Sequence, residues 1–295
     1  MLMSRIDFTK CDIIPVYTYN GANGKKIGVK YNNNIYMLKF PVIAKNNENI
    51  HYSNSDTCEY IACHIFELLG FKTQQTILGK YYSKNGYKDV VACLDFTVPN
   101  KKFHDFAEIK NAVVDSETSG YGTELDEILE TIQTQNFISP KELNEYFWRM
   151  FIVDSFVGNF DRHNGNWGFL SNEKGVFEIA PIFDCASCLF PSADDDLLKT
   201  CLNDKEQLEM RIYTFPNSAI KINGKKINPY EFIISLNNED CNKALLEIFS
   251  KIDMEKIYSI IDSVEEITDI RKQFLKVILT ERYNKILKTA YDKLN

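Results

Sequence analysis

The apolar residues of this chain change period once, and that change constrains the fold more than any other feature. In the first third they fall in short runs rich in β-branched and aromatic side chains, separated by Gly and Asn. Residues 13–19 (IIPVYTY), 26–31 (KIGVKY) and 35–40 (IYMLKF) therefore predict three strands. A helical pattern follows in residues 55–71, with Asp56 as cap, Glu59 three residues on, an apolar stripe of Tyr60, Cys63, Phe66 and Leu69, and Gly70 as stop. Two more runs, 75–82 and 88–96, flank Asn85-Gly86, a strong signal for a tight hairpin. The expected order is β-β-β-α-β-β. From about Pro99 the period becomes helical. Ser139 as cap, Pro140 in the first turn and Glu142 closing a capping box start a helix with a stripe at Leu143, Phe147, Met150, Phe151 and Val157. Residues 167–170 and 176–180 then read as a short hairpin, and 242–252 and 273–294 as amphipathic helices. The expectation is an α+β chain: a small β-rich lobe with one helix over residues 1–97, and a larger helical lobe over 98–295.

With 295 residues, 44% of them hydrophobic, such a chain can bury a large core. Its apolar runs are interrupted well short of the roughly 18 residues a spanning helix needs. The opening MLMSRIDFTK lacks the basic head, apolar block and small-residue cleavage site of a signal peptide, so a cytoplasmic protein without membrane contact is expected. A net charge of −7 and scattered Lys and Arg argue against a general nucleic-acid binder. The eight cysteines sit mostly inside apolar patterns and are expected to be reduced and buried. Cys185 and Cys188 have C-x-x-C spacing, but no second pair completes a metal site, and the spacing is read as coincidental.

Polar chemistry concentrates in NFDRHNGNWGFL, residues 159–170. Asp161 and Asn166 have D-x-x-x-x-N spacing, which lets one loop present a carboxylate to a substrate and an amide oxygen to a metal. Asp184 follows the next hairpin. Lys39 lies in an apolar strand, where a buried ammonium needs a partner, and ATP phosphates with Glu59 would provide one. The loop NGANGKKIG, with Gly24, Lys25 and Lys26, can cover phosphates with its N–H groups. These residues occur in the chain order that a kinase-like phosphotransferase needs. Each also has a plainer explanation: an Asp/Asn/Gly-rich turn, a solvent-facing Lys, a capping-box Glu59, an ordinary hairpin loop. His163 either holds the loop or approaches phosphates, or is a structural imidazole. Asp154 anchors Arg162 or the loop backbone, or is a partly exposed helix residue.

The motifs YMLKFP, SDTCEYIACHIF, NFDRHNGNWGFL, APIFDCASCLFP and NSAIKINGKKINPYEF, spread over residues 21–232, make the sequence resemble the HipA-like bacterial Ser/Thr kinases, in particular their short, stand-alone CtkA type. The resemblance implies a kinase-like fold, ATP and Mg²⁺ as cofactors, Ser/Thr acceptors in proteins, and autophosphorylation. It implies Lys39 as phosphate-binding lysine, Asp161 as catalytic base, Asn166 and Asp184 as Mg²⁺ ligands, and Glu59 as partner of Lys39. Backbone groups of Cys93 and Asp95 in ACLDF would hold adenine. Longer HipA toxins carry a further N-terminal subdomain that this chain lacks room for, and some short members are exported effectors. Phosphoinositide kinases share a similar DRHxxN loop, so a lipid kinase stays open as an alternative, as does a catalytically silent nucleotide-binding module.

Overall fold

The computed structural model describes residues 5–14, 26–43, 51–52, 54–84, 86–97, 100–113 and 120–295. Its first elements are β1 (Ile6–Asp7), β2 (Asp12–Ile13), β3 (Lys26–Tyr31), β4 (Asn34–Lys39), the short pair β5 (Val42–Ile43) and β6 (His51–Tyr52), α1 (Ser55–Leu68), β7 (Thr76–Ser83) and β8 (Gly86–Leu94). Six strands form one sheet in the order β1-β7-β8-β4-β3-β2. The β3/β4 turn places Asn32 and Asn33 at φ +47° and +64°, the left-handed pair that matches strand twist. Ser83 pairs with Gly86 across the β7/β8 turn, and Gly86 takes φ +96°. Tyr36 and Leu38 alternate inward from β4 and meet Phe8, Val29, Phe40, Val90 and Ala92 in a small core of the sheet's own.

Of the strand expected over 13–19, only Ile13 is in a described strand, and residues 15–19, like Asn85, lie outside the described residues. The sheet also gains β1, parallel to β7 with Ile6 opposite Gly79. Two residues are too short to show a period, so β1 left no signal in the sequence.

Asn54, not Asp56, is the N-cap of α1, and it makes no side-chain capping bond. Asp56 instead pairs with Arg5 at 2.9 Å, so the capping-box explanation of Glu59 falls. The helix ends as expected. Gly70 at φ +92° donates to Glu67 O, Phe71 N–H donates to Phe66 O, and the two rings meet edge to face, a complete Schellman motif.

The rest of the chain is mainly helical: β9 (Lys101–Asp105), α2 (Phe106–Val113), α3 (Leu125–Thr134), α4 (Pro140–Val157), β10 (Gly168–Asn172), β11 (Phe177–Ile179), α5 (Asp195–Asn203), α6 (Lys205–Tyr213), the hairpin β12 (Lys221–Ile222) and β13 (Lys225–Lys226), α7 (Pro229–Ser235), α8 (Glu239–Phe249), α9 (Met254–Asp262), α10 (Asp269–Arg282) and, after a π-helical turn, α11 (Thr289–Leu294). The expected hairpin is β10/β11, but β9 joins it as a third strand, a departure from the all-helical reading beyond Pro99. Ser139 is the N-cap of α4 yet makes no side-chain capping bond. Asp194, Asp204, Asn228, Asn238, Asp253 and Thr268 do cap their helices through side-chain oxygens. One large core runs through this region, and α1 contributes Cys58, Ile61, Ile65 and Phe66 to it rather than to the sheet core. Among the described residues no helix is long and apolar enough to cross a membrane.

Candidate active site

Strand β4 delivers Lys39 to the seam between the sheet and the large core. Its Nζ donates to both carboxylate oxygens of Glu59, at 2.7 and 2.9 Å, and to Asp184 Oδ1 at 3.0 Å. Glu59 is fully buried, whereas the Asp184 side chain stays 38% exposed. Burial works against the Lys39 ammonium, but Asp184 and Glu59 outweigh it and hold its pKa well above the usual lysine value. Lys39 in turn holds the Asp184 carboxyl below the usual aspartate value, against burial, and Lys26, opposite Lys39 in the β3/β4 register, adds to that effect. Asp184 adopts φ +54°, in the left-handed region that Asp enters more readily than most non-glycine residues.

Helix α4 ends at Gly158, φ +70°, where a side chain would collide with the Arg282 guanidinium: a Cβ would lie 2.3 Å from Nη1. The chain then enters a loop whose scaffold groups are committed inward. Arg162, 3% exposed, donates from Nε to Asp154 Oδ2 at 3.0 Å and from Nη1 to the carbonyls of Asn166 and Phe183, both at 2.7 Å. It thereby ties the loop to the residue before Asp184. Asn159 Nδ2 donates to Asp154 Oδ1, and Asn159 Oδ1 accepts the Asp161 N–H. Asn164 Nδ2 donates to the carbonyls of Gly120 and Gly122, His163 Nδ1 accepts the Gly165 N–H, and Asn166 Nδ2 donates to Asp161 O at 2.8 Å. Asp154 is thus a buried anchor of Arg162, not an exposed helix residue.

Not every polar atom of the loop is so held by a described residue. The Asp161 carboxylate and the Asn166 amide oxygen accept no hydrogen bond from a described residue. Burial raises the Asp161 carboxyl above the usual aspartate value, and His163, Lys226 and Arg162 pull it part of the way back while Asp184 adds to the rise.

Other expected site residues fare differently. Gly24 and Lys25 lie outside the described residues. Cys93 is buried in β8, between Thr76 and Met37. The Asp95 N–H donates to Ile35 O, and its carboxylate accepts from the N–H and hydroxyl of Thr97. All eight cysteines are free. Seven are buried, among them Cys185 and Cys188, and Arg162 Nη2 approaches Cys185 Sγ at 3.5 Å. Sequence reasoning missed Lys226 as a charge acting on Asp161, Asn164 as a loop anchor and the segment from Gly120 to Gly122 that receives it. Only Asn164 carried a signal, as an amide within the Asp/Asn-rich loop itself.

A curled β-sheet, a helical remainder and a lysine bridging two carboxylates at the seam define a kinase-like fold. The chain belongs to the HipA-like C-terminal domain family, whose model matches residues 19–272. It is 49% identical to the serine/threonine-protein kinase CtkA of Helicobacter pylori over 99% of this chain and 89% of that protein. The crystal structure of the H. pylori proinflammatory kinase CtkA superposes with a TM-score of 0.93 at 47% identity, covering 98% of this chain and 97% of that one. HipA of Shewanella oneidensis, solved with HipB and operator DNA, shares the fold with a TM-score of 0.56 at 14% identity, over 95% of this chain and 69% of that one.

Proposed function

We propose that this chain is a serine/threonine protein kinase that uses Mg-ATP, phosphorylates protein hydroxyls and autophosphorylates. The observation that carries the reading is the Asp161 carboxylate, which no described residue bonds, held by a loop anchored through Arg162, Asn159 and Asn164, with the likeness to CtkA behind it. A polar group left unpartnered in a rigid setting is poised for a substrate.

ATP supplies the γ-phosphoryl group, and Mg²⁺ neutralises charge on the phosphates. Asp161 would orient the acceptor hydroxyl and take its proton as that oxygen bonds to the γ-phosphorus and the bond from phosphorus to the departing ADP oxygen breaks. Lys39, fixed by Glu59, would bind phosphate oxygens, and the loop expected to cover them is the one with Gly24, Lys25 and Lys26. Asn166 Oδ1 and the Asp184 carboxylate would hold the metal. The donor set fits: two hard oxygen ligands suffice for Mg²⁺, which keeps waters and phosphates for its other positions. Adenine would bind near the end of β8, but Cys93 is paired inside the sheet with Met37 and Thr76 and the Asp95 N–H is already used by Ile35, so the contact would fall to other backbone groups of that segment than the two expected. The division at residues 97 and 98 belongs to this reading, supported by β9, which pairs with the β10/β11 hairpin and not with the large sheet.

The test is phosphate transfer from γ-labelled ATP with Mg²⁺, offering a generic protein acceptor and phosphoinositide vesicles, beside an Asp161→Asn control. Label on protein that disappears in the variant supports the reading. Label on lipid alone assigns a lipid kinase, and Mg-ATP binding without transfer assigns a silent nucleotide-binding module.

A further inference from the structure

The β12/β13 hairpin carries Lys221, Lys225 and Lys226, with no acidic residue between Asn217 and Asn228, in a chain whose net charge is −7. Lys225 and Lys226 are exposed, and none of the three ammonium groups pairs with a described residue. A run of solvated lysines needs no function by itself. Its attachment is what sets this one apart.

The Lys221 N–H donates to Thr123 O at 2.8 Å, Thr123 Oγ1 donates to Ala219 O at 2.7 Å, and the Gly224 N–H donates to Glu124 Oε1 at 3.0 Å. The same segment, on its preceding residues Gly120 and Gly122, receives Asn164 of the Asp161 loop. Tyr121 between them is 59% exposed and lies against Gly165 of that loop. Residues 120–124 thus brace the loop and the lysine hairpin together, and the charge of Lys226 is felt at Asp161. Lys39 and Lys26, which serve the phosphates, come from the sheet. The hairpin comes from the helical part and is braced, through residues 120–124, to the loop that carries the base, where an acceptor hydroxyl must arrive.

Resting on the kinase reading above, we propose that the Lys221–Lys226 hairpin recognises the acceptor and selects protein segments with Asp or Glu next to the phosphorylated Ser or Thr. Complementary charge at an exposed rim steers and selects partners more than it tightens them.

Three peptides that differ only in the two residues flanking one Ser, as Glu, Gln or Lys, are compared with Mg-ATP and the full chain, as wild type and as Lys225→Glu/Lys226→Glu. The readout is the ratio of kcat/KM for the Glu peptide to that for the Gln peptide within each protein, so a common loss of turnover cancels. The wild type is expected to favour the Glu peptide about fivefold, the size two exposed ion pairs give, and the preference should shrink as salt is raised. In the double variant it should invert toward the Lys peptide. Equal use of the peptides by the wild type, or a preference that survives charge reversal, overturns the proposal while leaving the kinase reading intact. Labelling of phosphoinositide vesicles in place of peptides overturns it by giving the hairpin to a lipid headgroup. A wild type that labels no peptide, no protein and not itself overturns the kinase reading, and this proposal with it.

Discussion

Lys39 and Glu59 form the kind of contact whose removal costs more than its presence gains. Truncating Lys39 leaves a fully buried carboxylate without its cation. Lys39→Met is expected to lose roughly 3 kcal/mol of unfolding free energy, measured by chemical denaturation, whereas Lys39→Met/Glu59→Leu should recover most of it. Neither variant should transfer phosphate. A second expectation concerns pH. Because burial raises the Asp161 pKa, the base is lost by protonation at a higher pH than an ordinary aspartate would be, and the acid limb of kcat/KM lies above the usual carboxylate value of 3.8. Lys226→Gln removes a charge that favours the ionised form, so the limb should move to higher pH, as pH–rate profiles of the two proteins compared side by side would show. Asp161, Asn166, Asp184 and Lys39 were legible because their spacing and order are properties of the chain itself. Glu59 was ambiguous, since its distance from Asp56 also fits a local cap, and only the fold brings Lys39 to it. Lys226 was illegible because a distant hairpin carries it to the base.

At the scale of elements, the long periodic segments announced themselves and the short ones did not. α1, α4 and the β3/β4 and β7/β8 hairpins follow from apolar period and turn residues, whereas β1 and β9 are fixed by partners far along the chain. Helix ends give a sharper comparison. Gly70 and Gly158 both terminate helices with positive φ, but a Cβ at Gly70 would meet only the Lys251 side chain, with Nζ at 3.6 Å, while one at Gly158 would strike the Arg282 guanidinium. Gly70→Ala is therefore expected to lose about 1 kcal/mol and Gly158→Ala clearly more, about 2 to 3 kcal/mol. Thermal unfolding of the pair checks the order. Gly158→Ala should also lower phosphate transfer, because the Asp161 loop starts from that turn.

For the whole molecule, a ligand held from the sheet by Lys39 and from the helical part by Asn166 and Asp184 should act as a clamp. Mg-ATP at about a hundred times its Kd is expected to add roughly 2.7 kcal/mol to unfolding, read as a rise in Tm that Asp184→Asn or EDTA removes. The helix between those two parts is not a loose one. α1 buries its face in the large core, its cap N–H donates to Pro191 O, Cys58 Sγ reaches Leu189 O at 3.7 Å, and Arg5 fastens Asp56 while also meeting Glu266. Seen as an equilibrium between a docked and a displaced helix, the position lies far to one side. A regulator that works by shifting two evenly balanced states needs little differential affinity, but reversing a 99:1 balance takes about 5.5 kcal/mol. An inhibitor that displaced α1 would have to offset the apolar surface and the bonds it uncovers, whereas one that covers Asp161 faces no such demand.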